Sequence, residues 1–185
     1  MSRFFALLFV FSLLVLPAAY AAGPPISGDM VKLTAYDPPA YLSPVMISSS
    51  GEGLTYLSEF EGKLIILNIW ATWCPPCIKE LPSLNALQYA MGSDTFEVVT
   101  VSVDTTGPEV VKKYMDDNGL KALKPYIDLN KNLQQQEVLS GVAGIPVTLI
   151  IDPKGKLLAR VAGDADWNGP AARAVIEYYL KNVTF

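Results

Sequence analysis

Histidine is absent from this 185-residue chain and cysteine occurs only twice. A structural zinc site needs four ligands, so two thiols without an imidazole cannot build one. Haem attachment is excluded as well, because Ile78 stands where a histidine must follow the second cysteine. Basic residues are few: 14 Lys and Arg face 18 Asp and Glu, and no basic cluster forms, which excludes nucleic acid as a partner. Nothing repeats, and no low-complexity tract exceeds a few residues. Asn182-Val183-Thr184 matches a glycosylation sequon that chance alone explains.

Both cysteines lie in one pentapeptide, Trp73-Cys74-Pro75-Pro76-Cys77, so each sulfur has only the other as an intramolecular partner. A bridge over two residues restricts the unfolded chain little and is a poor staple, which favours a redox site over a structural one. If a helix starts at the second residue of the motif, Cys74 sits at its N-terminus. Unpaired N–H groups and the positive end of the dipole there stabilise a thiolate. Cys74 is then the exposed nucleophile, and Cys77, one turn on and turned inward, resolves mixed disulfides. Pro75 and Pro76 suit a first helical turn and stiffen the loop between the sulfurs. Trp73 shields the sulfurs and offers partners a flat contact, whereas Trp70 and Trp167 are expected to pack in the core.

The N-terminus predicts an address outside the cytoplasm. Arg3 precedes an apolar run from Phe4 to Leu16, and Ala19-Tyr20-Ala21 has the small-x-small pattern of a cleavage site, so residues 1–21 read as a signal peptide. Thirteen helical residues rise about 20 Å, short of the roughly 30 Å hydrocarbon core, although counting on to Ala22 nearly spans it. An uncleaved anchor in the inner membrane is the alternative. Removal of 1–21 leaves 164 residues, enough for one well-cored domain.

Residues 22–43, rich in proline, read as an extended arm or linker with little regular structure. The domain is expected over 44–185. Val45–Ile47 and Leu54–Tyr56 suit a hairpin, with a short turn over Leu57–Glu61. Leu64–Trp70 is almost uninterrupted hydrophobe, as expected of a strand buried on both faces. The helix after the cysteines carries Leu81, Leu84, Leu87 and Met91 on one stripe, with Pro82 expected to kink it. Phe96–Val103 predicts a strand, Pro108–Asn118 a helix stopped by Gly119, Tyr126–Leu129 a short strand and Asn132–Leu139 a helix. Val147–Ile151 and Lys156–Val161 flank the Asp152-Pro153-Lys154-Gly155 turn of a hairpin, and a final helix covers Pro170–Lys181. This order implies an α/β fold with a mixed central sheet flanked by helices.

Three of these segments, in this order, resemble the thioredoxin superfamily, and within it the extracytoplasmic TlpA/ResA/CcmG-like branch. Asn68-Ile69-Trp70-Ala71-Thr72-Trp73-Cys74-Pro75-Pro76-Cys77 followed by Glu80-Leu81-Pro82 is similar to that branch's active-site segment. Gly144-Ile145-Pro146-Val147-Thr148 is similar to the loop that carries a cis-proline in the family, and Asp152-Pro153-Lys154-Gly155 to the turn of its C-terminal hairpin. The likeness covers roughly 44–185 and implies a thioredoxin-like fold with an N-terminal β-hairpin. It also implies a cis bond before Pro146, with Ile145 offering backbone groups to an extended substrate by strand addition. An ordinary trans proline opening a strand is the competing reading.

Cytoplasmic thioredoxins have a buried aspartate where Asn68 stands. Glu80, one turn beyond Cys77, is the nearest replacement in sequence, and the resemblance implies that it acts on the thiols, raising their pKa or taking a proton from Cys77. The competing reading is a solvated residue beside Lys79, and burial decides between them.

The chemistry so read is thiol-disulfide exchange, with no metal, nucleotide or flavin required. The resemblance implies a periplasmic reductant of protein disulfides, and a monomer is expected. A membrane electron donor of the DsbD/CcdA type would recharge it, with apocytochrome c or a copper-site assembly protein among its targets. The motif leaves direction open, so a disulfide oxidant or isomerase stays as an alternative. A Cu(I)-binding protein also remains, since soft thiolates select that ion, as does a thiol peroxidase.

Overall fold

The computed structural model describes residues 23–49 and 53–185, so the predicted signal peptide over 1–21 lies outside the described residues. Eight strands are present among them: β1 (Leu33–Tyr41), β2 (Met46–Ser49), β3 (Gly53–Tyr56), β4 (Leu64–Trp70), β5 (Phe96–Ser102), β6 (Tyr126–Ile127), β7 (Val147–Ile151) and β8 (Lys156–Ala162). They form one sheet in the order β1-β8-β7-β4-β5-β6-β2-β3. Three helices pack on it: α1 (Pro75–Met91), α2 (Pro108–Asp117) and α3 (Pro170–Asn182).

Every residue of β4 is buried, as its unbroken hydrophobic run requires of a central strand. Its alternate residues feed two cores. Leu64, Ile66 and Trp70 join Leu81, Leu84 and Leu87 of α1, Val111 and Met115 of α2 and Val175 of α3. Ile65, Leu67 and Ile69 face the other way, onto Val45, Ile47, Phe60 and Leu133. At ~1.5–3 kcal/mol for each fully buried Leu or Ile, these two layers dominate the stabilising side of folding. The predicted kink site, Pro82, sits inside α1, which continues as helix to Met91.

Strand direction positions the site. β4 runs parallel to β5 and antiparallel to β7, with Ile69 opposite Val147. The C-terminal end of β4 therefore lies beside the start of β7. The segment after Trp70 and the segment before Val147 must meet at one edge of the sheet.

Two expectations need correction. Residues 23–43 hold more regular structure than the little expected of them: a short 3-10 helix over Gly28–Lys32 leads into the nine-residue β1, which pairs with β8. Without that pairing the outer edge of β8 would present unpaired backbone groups. The prolines interrupt the ladder only locally. Pairing holds at Leu33–Ala35 and Ala40–Tyr41 and lapses around Asp37-Pro38-Pro39, where proline has no N–H to give. Met30, fully buried, anchors the segment in the helical core.

Asn132–Leu139 is not a helix. It is a series of turns ending in a single 3-10 turn at Glu137–Leu139. Side chains divert its backbone. Asp128 accepts from the N–H groups of Asn132 and Leu133, both at 2.8 Å, Asn132 donates to the Met46 carbonyl, and Gln136 accepts from Ser43 N. Such local bonds compete with a helical ladder. The segment instead lays Leu133, Val138 and Leu139 over the sheet face opposite α1, α2 and α3.

Candidate active site

Cys74 caps α1. Its backbone is extended, with φ −102° and ψ 102°, and the helix proper begins at Pro75. Pro75 and Pro76 carry no N–H, so the first amide the helix can offer is that of Cys77, and it donates to Cys74 Sγ at 3.3 Å. The Cys74 carbonyl accepts from Ile78 N at 3.0 Å, closing the first turn. A sulfur receiving that amide at the positive end of a helix is stabilised as a thiolate. The two sulfurs are joined at 2.03 Å as a disulfide.

One detail departs from expectation. Cys74 is only 4 % exposed, and Cys77 is fully buried. Access comes from one side, through a groove of 720 Å³ lined by Trp73, Cys74, Val103, Leu139, Val142 and Ile145 among others. Cys74 lines this groove and Cys77 does not. The asymmetry expected between an attacking and a resolving sulfur is therefore present as access from the groove rather than open exposure. Trp73, 66 % exposed, stands at the rim with the exposed Pro75 and Pro76.

The Ile145-Pro146 bond is cis, as the resemblance implied, and Cys74 Sγ lies 3.6 Å from the Ile145 carbonyl oxygen. The register of β4 and β7 brings these two loops together. Pro146 itself is buried, while Ile145 is half-buried on the groove wall.

Glu80 is not a solvated helix residue. It is 2 % exposed, and its carboxylate accepts three hydrogen bonds: Asn68 Nδ2 to Oε1 at 2.7 Å, and Ala165 N and Trp167 Nε1 to Oε2 at 3.1 and 3.0 Å. Burial disfavours the charge and pushes its pKa from the usual carboxylate range up to about 7, against the lowering effect of those three donors. A carboxyl poised near neutrality can both take and give a proton. Glu80 and Cys77 project from the same face of α1, three residues apart, with both side chains in the core.

Three groups make contacts at the site that sequence reasoning did not predict. Trp167 is fully buried as expected, yet it also supplies a donor to Glu80. Asn68 lies within the site, between Glu80 and Thr148 Oγ1. Asp104, the residue after the predicted strand Phe96–Val103, clamps the loop before the cysteines: its carboxylate accepts from Thr72 N at 2.9 Å, Thr72 Oγ1 at 2.7 Å and Ser102 Oγ at 2.6 Å. A signal was available for Asp104, because the C-terminal ends of neighbouring parallel strands converge at one edge of the sheet, where α/β sites form. For Trp167 no local signal exists.

The geometry of a paired CxxC at a helix cap, facing a cis-proline loop, can be set against known proteins. Residues 47–160 match the model of the AhpC/TSA family. The chain belongs to the AhpC/TSA family. Among curated relatives it is 30% identical over 130 residues to the thiol-disulfide oxidoreductase ResA of Bacillus thuringiensis (strain Al Hakam), covering 69% of this chain and 68% of that protein. It is 34% identical over 104 residues to the thiol:disulfide interchange protein HelX of Rhodobacter capsulatus, covering 56% and 54%. Among solved structures, a secreted thiol-disulfide isomerase from Corynebacterium glutamicum superposes with a TM-score of 0.63 at 22% identity, over 86% of this chain and 96% of that one. A DsbF homologue from Corynebacterium diphtheriae gives a TM-score of 0.62 at 20% identity, over 81% and 92%. These two likenesses establish the thioredoxin-like fold. This AhpC/TSA member is a thioredoxin-like thiol-disulfide oxidoreductase of the ResA/HelX type, built on its Cys74/Cys77 pair. Among the described residues no helix is long and apolar enough to cross a membrane.

Proposed function

We propose that this oxidoreductase works outside the cytoplasm as a reductant of protein disulfides, with Cys74 attacking, Cys77 resolving and Glu80 handling the proton. In the reduced enzyme the Cys74 thiolate attacks a substrate disulfide, forming a mixed disulfide and releasing one substrate thiolate. Cys77 gives its proton to Glu80 and attacks Cys74 Sγ. The second substrate thiolate leaves, two electrons having passed from the dithiol to the substrate, and the Cys74–Cys77 bond is restored.

The observation that carries this reading is the two-sided setting of the sulfurs. Cys74 opens to an apolar groove beside the Ile145 carbonyl, and a carboxyl with a pKa near 7 is buried on the face of α1 that carries Cys77. An extended substrate segment lies along the groove against the backbone of Ile145 and Pro146, in the manner of strand addition, with Trp73, Pro75 and Pro76 as its rim. The relatives' names, thiol-disulfide oxidoreductase and thiol:disulfide interchange protein, support protein substrates. The apolar run Phe4–Leu16 and the Ala19-Tyr20-Ala21 pattern support export, after which a membrane electron donor of the DsbD/CcdA type returns the pair to the dithiol. Apocytochrome c and copper-site assembly proteins are the target classes this reading names.

A trapping experiment tests it. In a Cys77→Ala variant expressed in the native host, mixed disulfides on Cys74 persist, and exported proteins with reducible cysteine pairs are the expected catch. Capture of ubiquitous thiols alone, or of nothing, would sink the reading. Direction is tested by the reduction potential, where a value near about −270 mV supports a reductant and one near about −120 mV supports the oxidant instead.

A further inference from the structure

The loop that covers Glu80 is held by side chains rather than by a sheet or helix ladder. Residues 164–166, between β8 and α3, have no regular structure, so their amides must find partners elsewhere. Three successive amides reach three different acceptors: Ala165 N donates to Glu80 Oε2 at 3.1 Å, Asp166 N to Asp29 Oδ2 at 2.9 Å and Trp167 N to Ser83 Oγ at 3.0 Å. Glu80 and Ser83 belong to α1. Asp29 comes from the N-terminal 3-10 helix, 137 positions away in sequence.

That short helix grips the loop on both sides of Ala165. Lys32 Nζ donates to the Asp164 carbonyl at 2.6 Å, while Asp29 takes the Asp166 amide. Between the two in sequence sits Met30, fully buried in the core that also contains Ala165 and Trp167. Asp29 is an exposed residue, yet the buried neighbour fixes where it stands.

We infer that Asp29 is a positioning residue for the proton-handling carboxyl: by holding the Asp166 amide, it keeps the adjoining Ala165 N–H on Glu80 Oε2. The inference rests on the proton role proposed for Glu80. A donor aimed at the carboxylate favours the charged form, so loosening Ala165 N should favour the protonated one. Charge alone would act the other way. Asp29, Asp164 and Asp166 line one 400 Å³ pocket beside Glu80 with Lys32 and Lys79, and removing an anion from that group should ease the ionisation of Glu80. The two effects of Asp29 therefore differ in sign, which makes them separable.

The test is carboxyl-carbon NMR on the full oxidised chain between about pH 5.5 and about pH 8.5, where Cys77 is bonded to Cys74 and does not titrate. Asp29→Ala removes both the charge and the hold on the loop. Asp29→Asn removes the charge and keeps an oxygen that can accept from the Asp166 amide. The Glu80 midpoint is expected to rise in Asp29→Ala by about half a pH unit or more, about threefold in the ionisation constant, and to stay or fall in Asp29→Asn. A contact that serves stability alone would lower the denaturation midpoint of Asp29→Ala and leave the Glu80 signal where it was. An unmoved or lowered Glu80 midpoint in Asp29→Ala, or equal shifts in the two variants, overturns the inference and leaves the proton role standing. A wild-type carboxyl that does not titrate in this range overturns both.

Discussion

The indole N–H of Trp167 donates to Glu80 Oε2 at 3.0 Å, tying the segment before α3 to the interior of α1 across 87 positions of sequence. Burial and this bond act on the carboxyl in opposite senses, and burial wins, leaving the pKa at about 7. Trp167→Phe keeps the apolar bulk and removes the donor, so the anion loses support. The Glu80 pKa is expected to rise above 7 by about one unit, in line with the ~1.5–3 kcal/mol of a hydrogen bond to a charged group. Carboxyl-carbon NMR reads it, and a fall in pKa would refute the assignment.

Stability should depend on pH through the same group. Its folded pKa is raised from 4.5 to about 7, so between these values the folded state binds more protons than the unfolded state. The contribution is fully present below about pH 4.5 and is lost as pH rises through about 7, a change on the order of 3 kcal/mol. Denaturant titrations of the wild type and Glu80→Gln across this window check it. Gln cannot ionise, so the stability difference between the two should grow towards alkaline pH in favour of Gln. A constant difference would be the contrary result.

Asp104 reaches the reaction only through Thr72. Asp104→Ala leaves the Thr72 amide and the Ser102 hydroxyl without their acceptor and frees the loop that sets Cys74 at the helix cap. Small displacements of reacting groups are costly, so kcat/KM for insulin reduction is expected to fall about tenfold or more. Thr72→Ser, which keeps both bonds, should retain nearly full activity. Equal losses in the two variants would contradict a hydrogen-bonding role.

The N-terminal segment is expected to matter for folding. Met30 is fully buried in the helical core, so Met30→Ala should cost ~2–5 kcal/mol in chemical denaturation. A loss below ~1 kcal/mol would mean that residues 28–41 sit on the domain without supporting it.

Much of this molecule was legible locally. The unbroken run of β4, the leucine stripe of α1 and the Asp152–Gly155 turn each reflect short-range preferences, and each formed where its pattern predicts. The segment Asn132–Leu139 was not legible, because its backbone donors go to Asp128 and its side chains to Met46 and Ser43, partners that helical periodicity does not register. Residues 33–41 misled for a related reason. Their prolines mark an irregular chain until an unpaired edge of β8 is there to be covered.

The division runs through the site itself. Sequence alone determined the dithiol: two cysteines three apart, with prolines between them, can only join each other and sit on a first helical turn. Tertiary structure decided what surrounds it. Cys74 met Ile145, Glu80 met Asn68 and Trp167, and Thr72 met Asp104 through strand register and the packing of α1 on the sheet. A carboxylate's charge is set by how much water reaches it and which donors face it, and both are properties of distant segments brought together by folding.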